Sequence, residues 1–135
     1  MSVMAAHWTL GCDANDPQLL ADFWAAALGY VPEPGYEDRD GASIVDPDGV
    51  RPAISWLRVP EGKTAKNRLH IDIRVAGAPP WDWAARAALI ERTVSTLVAA
   101  GATRVREETY RDAEHLEVLG HVVMLDPEGN EFCVA

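Results

Sequence analysis

At 135 residues and 48% hydrophobic side chains, the chain has material for one domain with a core and too little for two comfortable ones. Twelve Lys and Arg against 21 Asp and Glu leave a net charge of −9 and a pI near 4.7, which repels phosphate backbones and argues against a nucleic-acid partner. No apolar run approaches the ~20 residues of a membrane span, no leader pattern opens the chain, and Cys12 and Cys133 lack the paired spacing of a zinc or disulfide framework, so the expected setting is a reducing cytoplasm.

The segment Val3 to Cys12 alternates, with His7, Thr9 and Gly11 on one parity and Trp8, Leu10 and Cys12 on the other, which predicts a strand whose second set packs inward. Asn15 or Asp16 is placed to cap a helix whose first position is Pro17. Its apolar set, Leu19, Leu20, Phe23, Trp24, Ala27 and Leu28, recurs at three and four, and Gly29 ends it. Ala42 to Val45 is a strand running into the tight turn Asp46-Pro47-Asp48-Gly49, and Pro52 to Val59 is the next. The polar stretch Pro60 to Lys66 is the one plausible linker.

Beyond it, Asn67 to Val75 alternates cleanly: Leu69, Ile71, Ile73 and Val75 on one side, His70, Asp72 and Arg74 on the other. A period of two predicts a strand with one face on a core and a histidine, an aspartate and an arginine side by side on the other. Trp81 to Ala100 reads as a long amphipathic helix with Leu89, Val94, Leu97 and Val98 buried and Gly101 as its stop. Trp81 and Trp83, just after two prolines, are candidates for a lid or a dimer contact, with helix-to-sheet packing as the plainer reading. Thr103 to Glu107 is a strand, Glu108 to Glu114 a charged turn that leaves His115 and His121 as expected surface residues, and Leu116 to Leu125 one or two strands. Asp126-Pro127-Glu128-Gly129 repeats the earlier turn, and Glu131 to Ala135 closes the chain.

The halves read alike, so the expected fold is α+β: two β-α-β-β-β modules, residues about 1–60 and 67–135, joined by a linker over about 60–66. Their sheets are expected to form a cup-shaped, partly open eight-stranded surface with the helices outside.

Four stretches in order, CDANDPQLLADFWAAALG (12–29), VPEGKTAKNRLHIDIRV (59–75), LVAAGATRV (97–105) and MLDPEGNEFCV (124–134), resemble the glyoxalase-like branch of the vicinal oxygen chelate superfamily, which includes the bleomycin-resistance proteins. The resemblance implies a ligand cavity in each half or across a dimer, frequent homodimers, and two kinds of activity. Some members hold a divalent metal with His and Glu on the cup strands and isomerise, cleave or dioxygenate small substrates; others sequester a drug.

Carried onto this chain, the fifth-strand ligand position of the metal-using relatives falls on His70 and the last-strand position on Cys133, while the fourth-strand position falls on Leu57, beside Trp56. The first-strand position falls on Thr9, or on His7 if two residues are inserted around Asp13 to Asn15. Leu57 cannot coordinate, so the expectation is a metal-independent protein with no cofactor, binding a hydrophobic or cationic compound. The expected contacts are His7, Thr9, Trp56, Leu57, His70, Asp72, Arg74, Glu131 and Cys133, and aromatic side chains around an acidic cup suit a planar or cationic guest. The alternative is a metal-dependent lyase, isomerase or dioxygenase in which His7, His70 and Glu131 form a two-His, one-carboxylate set for Fe(II), Mn(II) or Zn(II).

Overall fold

The computed structural model describes residues 4–135, and the chain divides into two compact units, one running to Gly62 and the other Lys63–Ala135. Each unit has the order β-α-β-β-β and its own four-stranded sheet; the eight strands do not close into a barrel.

In the first unit, β1 (Leu10–Ala14), β2 (Val31–Pro32), β3 (Gly41–Val45) and β4 (Ile54–Arg58) line up in the order β1-β4-β3-β2, with β1 parallel to β4. Helix α1 (Pro17–Leu28) lies against β3 and β4. Its N-cap is Asp16, whose carboxylate accepts the Leu19 N–H at 3.1 Å, and Gly29 ends it in the left-handed region at φ 70°. Leu20, Ala21, Phe23 and Trp24 are buried, whereas Leu19, expected inside, stays exposed one position off the stripe.

The first strand begins later than its alternation predicts. Its parallel partner offers a carbonyl at Ala53, which accepts the Leu10 N–H at 2.9 Å, but Pro52 has no N–H with which to extend the ladder. His7, Trp8 and Thr9 therefore precede β1 and are exposed, Trp8 to 61%, and the inward set becomes Leu10, Cys12 and Ala14. Val3, the expected start of that strand, lies outside the described residues.

The second unit repeats the arrangement. Strands β5 (Asp72–Ile73), β6 (Thr103–Arg111), β7 (Glu117–Leu125) and β8 (Glu131–Val134) take the order β5-β8-β7-β6, with β5 parallel to β8. Helix α2 (Trp83–Ala99) is capped by Asp82, whose side chain accepts the Ala85 N–H at 3.0 Å. It packs on β7, β6 and β8 and buries Arg86, Ile90, Val94 and Leu97, so Ile90 takes the place expected of Leu89, and Val98 is exposed. Opposite it, Val122, Met124, Phe132 and Val134 are buried at alternating positions of β7 and β8.

The two Asp-Pro turns act as matching hubs. The Asp46 carboxylate accepts backbone N–H groups of Asp48 (2.9 Å) and Arg51 (2.9 Å), and these bonds hold its carboxyl below the usual carboxylate range. The Asp126 carboxylate accepts those of Glu128 and Asn130, both at 3.0 Å. Both aspartates are buried, so each turn is built around a satisfied charge rather than a solvated tip. No helix among the described residues is long and apolar enough to cross a membrane.

Candidate functional site

Since Val122, Met124, Phe132 and Val134 face α2, their neighbours must face the other way, and this outer face of the second sheet floors a cavity of about 520 Å³. The strand register places one rung across all four strands: Asp72 opposite Cys133, Cys133 opposite Val123, Val123 opposite Arg106. All four line the cavity.

The His-Asp-Arg row is thus where the alternation put it, although the regular ladder of β5 is only two residues long. Hydrogen bonds from Cys133 N to the Ile71 carbonyl (3.0 Å) and from Val75 N to the Ala135 carbonyl (2.8 Å) hold the flanks in extended register. Leu69, expected inward, is 79% exposed, because the core under this strand starts at Ile71.

Two bulges decide what β6 contributes. Arg104 pairs with Met124 on the helix side and reaches Glu91 of α2 at 2.9 Å, while Arg106 pairs with Val123 on the cavity side. Val105 is the extra residue that lets two positions of equal parity face opposite ways. The second irregularity skips Gly120 on β7, between the pairs Glu108 with His121 and Thr109 with Leu119. A Cβ there would meet the Tyr110 ring, 2.7 Å from its Cγ, so only glycine lets that ring lie across the strand. The stretch from Glu108 to Arg111 is consequently strand rather than the expected turn, and it delivers Tyr110 to the cavity wall. His121, expected at the surface, lines the cavity too, and its Nδ1 lies 2.8 Å from the Tyr110 hydroxyl.

The remaining wall comes from the approach to α2. Trp81 is oriented by its indole N–H donating to the Gly77 carbonyl at 3.2 Å. Arg86 packs its guanidinium 4.5 Å from the Trp81 ring centroid and 5.4 Å from that of Trp83, and donates to the Leu119 carbonyl at 3.0 Å. It is 3% exposed, and this burial lowers its pKa from the ordinary arginine value. Periodicity could not have found it, because an arginine on an apolar stripe reads as a break in the stripe.

At the other end, His70 Nδ1 and the Asp72 carboxylate are 2.8 Å apart. Burial pushes the Cys133 thiol up, and the neighbouring Asp72 carboxylate, by its charge and as hydrogen-bond acceptor, adds to it, to about 11. Burial alone would raise the Glu131 carboxyl, yet the Asn67 N–H at 3.0 Å and the Lys63 ammonium at 3.2 Å hold it below the usual range. That carboxylate ties the segment from Lys63 to Asn67 to the start of β8.

Of the residues expected to form a site, His70, Asp72, Arg74, Glu131 and Cys133 come together in this cavity. The others belong to the first unit: His7 and Thr9 precede β1, Trp56 is 3% exposed in that unit's core, and Leu57 is exposed on β4. The cavity wall carries Lys66, Arg74, Arg86 and Arg106 against Asp72 and Glu131, a sign opposite to that of the whole chain.

The donors do not reproduce a His and Glu metal centre. At the positions the resemblance implies for ligands, Leu57 offers no ligand atom and Cys133 stands in place of a carboxylate, and the Glu131 carboxylate is engaged by Asn67 and Lys63. Among the described residues one other group could hold an ion: His70, Asp72 and Cys133, with ligand atoms all within 4.8 Å of one another.

Paired β-α-β-β-β modules, with a ligand-sized cavity on the outer sheet face of the second, define a small α+β protein of the vicinal oxygen chelate type. Residues 9–135 match the model of the glyoxalase-like domain, and the chain belongs to that family. No curated protein matches it by sequence. Among solved structures it is similar to a glyoxalase/bleomycin resistance protein/dioxygenase family enzyme from Burkholderia phytofirmans (16% identity, TM-score 0.67, covering 93% of this chain and 94% of that one). It is also similar to the fosfomycin resistance protein FosX from Listeria monocytogenes, solved with Mn(II) and dihydroxypropylphosphonic acid (10%, 0.65, 97% and 90%), and to the oxidase ChaP-H2 (17%, 0.58, 98% and 93%). At these identities the likeness is one of fold.

Proposed function

We propose that this protein binds a small organic molecule in the cavity of its second unit without a resident metal. The observation that carries the reading is the outer sheet face itself: about 520 Å³ of open space walled by Trp81, Tyr110 and His121 and studded with convergent polar groups. Space of that size takes a molecule of roughly 10 to 25 non-hydrogen atoms, and a structural module would have no need of it. A thermal-shift screen against a library of aromatic acids, amines and neutral amides tests this. A ligand should raise the melting temperature with its concentration, and His70→Ala or Trp81→Ala should weaken the response. No stabilisation by any compound class would defeat the proposal.

A second reading rests on the His70, Asp72 and Cys133 group and on the kinship with metal-using structures: a soft divalent ion held there would make the protein an enzyme of the superfamily. Elemental analysis separates the two. Protein purified without chelator should carry well under 0.1 metal per chain on the first reading and about one per chain, lost in His70→Ala, on the second.

A further inference from the structure

We propose that the cavity selects organic anions, with the acid group held by Arg74 and Arg86 and the remainder of the molecule against Trp81 and Tyr110. This deepens the binding function proposed above and rests on it.

The first support is Arg86. Buried arginines are ordinarily matched by a carboxylate, because an unpaired charge away from water is costly. Among the described residues Arg86 has no acidic partner, and its contacts are two indole faces and one carbonyl. These occupy one terminal nitrogen and the ring-stacking planes, so the other donors of the fork have no protein acceptor, and Arg86 lines the cavity.

The second support is Arg74. It projects from the flank of β5 into the same cavity, with its guanidinium carbon 5.9 Å from the same Trp81 ring, and it too lacks an acidic partner among the described residues. Two like charges sharing one indole repel each other: burial lowers the pKa of Arg86 most, the nearby Tyr110 phenol opposes that, and Arg74 lowers it again. An anion between them removes that repulsion and supplies both missing partners, and two guanidinium forks suit the two oxygens of a carboxylate or a phosphate.

The third support is contrast within the wall. Arg106 is paired with Glu108 at 2.6 Å, whereas Arg74 and Arg86, both beside Trp81, have no acidic partner among the described residues. The chain's −9 would repel an anion at long range, so this local sign cannot be a by-product of composition.

The test compares benzoate, benzamide and benzamidine, three planar molecules of nearly one shape carrying −1, 0 and +1. Binding is read from the Trp81 indole N–H resonance, assigned with Trp81→Phe. The expected result is benzoate binding at least ~10-fold more tightly than either analogue, a preference that shrinks at high salt, and a loss of ~10-fold or more of benzoate affinity in Arg74→Gln and in Arg86→Lys. Arg74 is exposed, so its variant carries the test should Arg86→Lys unfold. If benzamide or benzamidine binds as well as benzoate, or if neither substitution lowers benzoate affinity, the anion assignment is overturned and the cavity remains a binding site. If none of the three, nor any compound of the thermal-shift library, perturbs Trp81, both proposals fall.

Discussion

Burial and, next to it, the Asp72 carboxylate raise the pKa of the Cys133 thiol, so replacing the aspartate should make that thiol more reactive. Burial is the largest cause of the shift and the aspartate carboxylate the next, together carrying the thiol from 9.0 to about 11. At pH 8 a thiol of pKa 9 is ~10% thiolate and one of pKa 11 is ~0.1%, a ~100-fold loss of nucleophile, of which the higher basicity of the remaining thiolate restores about tenfold. In a Cys12→Ser background, carboxamidomethylation of Cys133 should therefore run about tenfold slower at pH 8 than that of an ordinary accessible thiol. Its rate should keep rising through pH 10. Asp72→Asn removes the charge but not the burial, so its rate at pH 8 should rise by roughly threefold, with a lower titration midpoint. The sign carries over to stability: the folded state keeps a proton that the unfolded chain releases, so this group contributes fully below pH 9 and its contribution is lost as pH climbs towards 11. Mass-spectrometric alkylation kinetics between pH 7 and 11 decide the matter. A wild-type midpoint at or below 9, or an Asp72→Asn rate equal to wild type, would refute the reasoning.

Three further outcomes follow from the packing. Asp126→Ala strands the N–H groups of Glu128 and Asn130 at the last turn and should cost about 2–4 kcal/mol in urea unfolding; a loss below ~0.5 kcal/mol would show the turn held by something else. Phe132→Ala empties a site only 1% exposed between α2 and the second sheet, and should cost about 3–5 kcal/mol. Gly120→Ala places a methyl group against the Tyr110 ring, so the ring should swing off the strand, lose its bond to His121 and weaken benzoate binding severalfold while the far-ultraviolet spectrum stays native. Unchanged Tyr110 and His121 resonances in that variant would mean the ring is not seated on the bulge.

Much of the architecture follows from local rules that the chain states openly. The capping aspartate, Pro17 and Gly29 delimit α1, the paired Asp-Pro turns mark equivalent corners of two modules, and a period of two puts His70, Asp72 and Arg74 on one face. These readings succeed because caps, turns and alternation act between residues a few positions apart. The first strand and the second half of β6 misread for the opposite reason, since a ladder's length depends on a partner far along the chain: Pro52 stops β1, and the length of β7 extends β6.

The candidate site divides along the same line. The alternation of residues 67–75 by itself selected one wall of the cavity, and the repeat of the closing turn located Glu131 and Cys133 on the last strand. Only the tertiary structure brought in Arg86, Arg106, Tyr110 and His121, because a bulge at Val105 reverses a parity, a bulge at Gly120 seats a ring, and a helix places a buried arginine under two tryptophans. The sign of the cavity was also a tertiary decision. Composition counts every charge equally, and it was folding that paired some arginines at the surface and left two of them beside the Trp81 ring without an acidic partner.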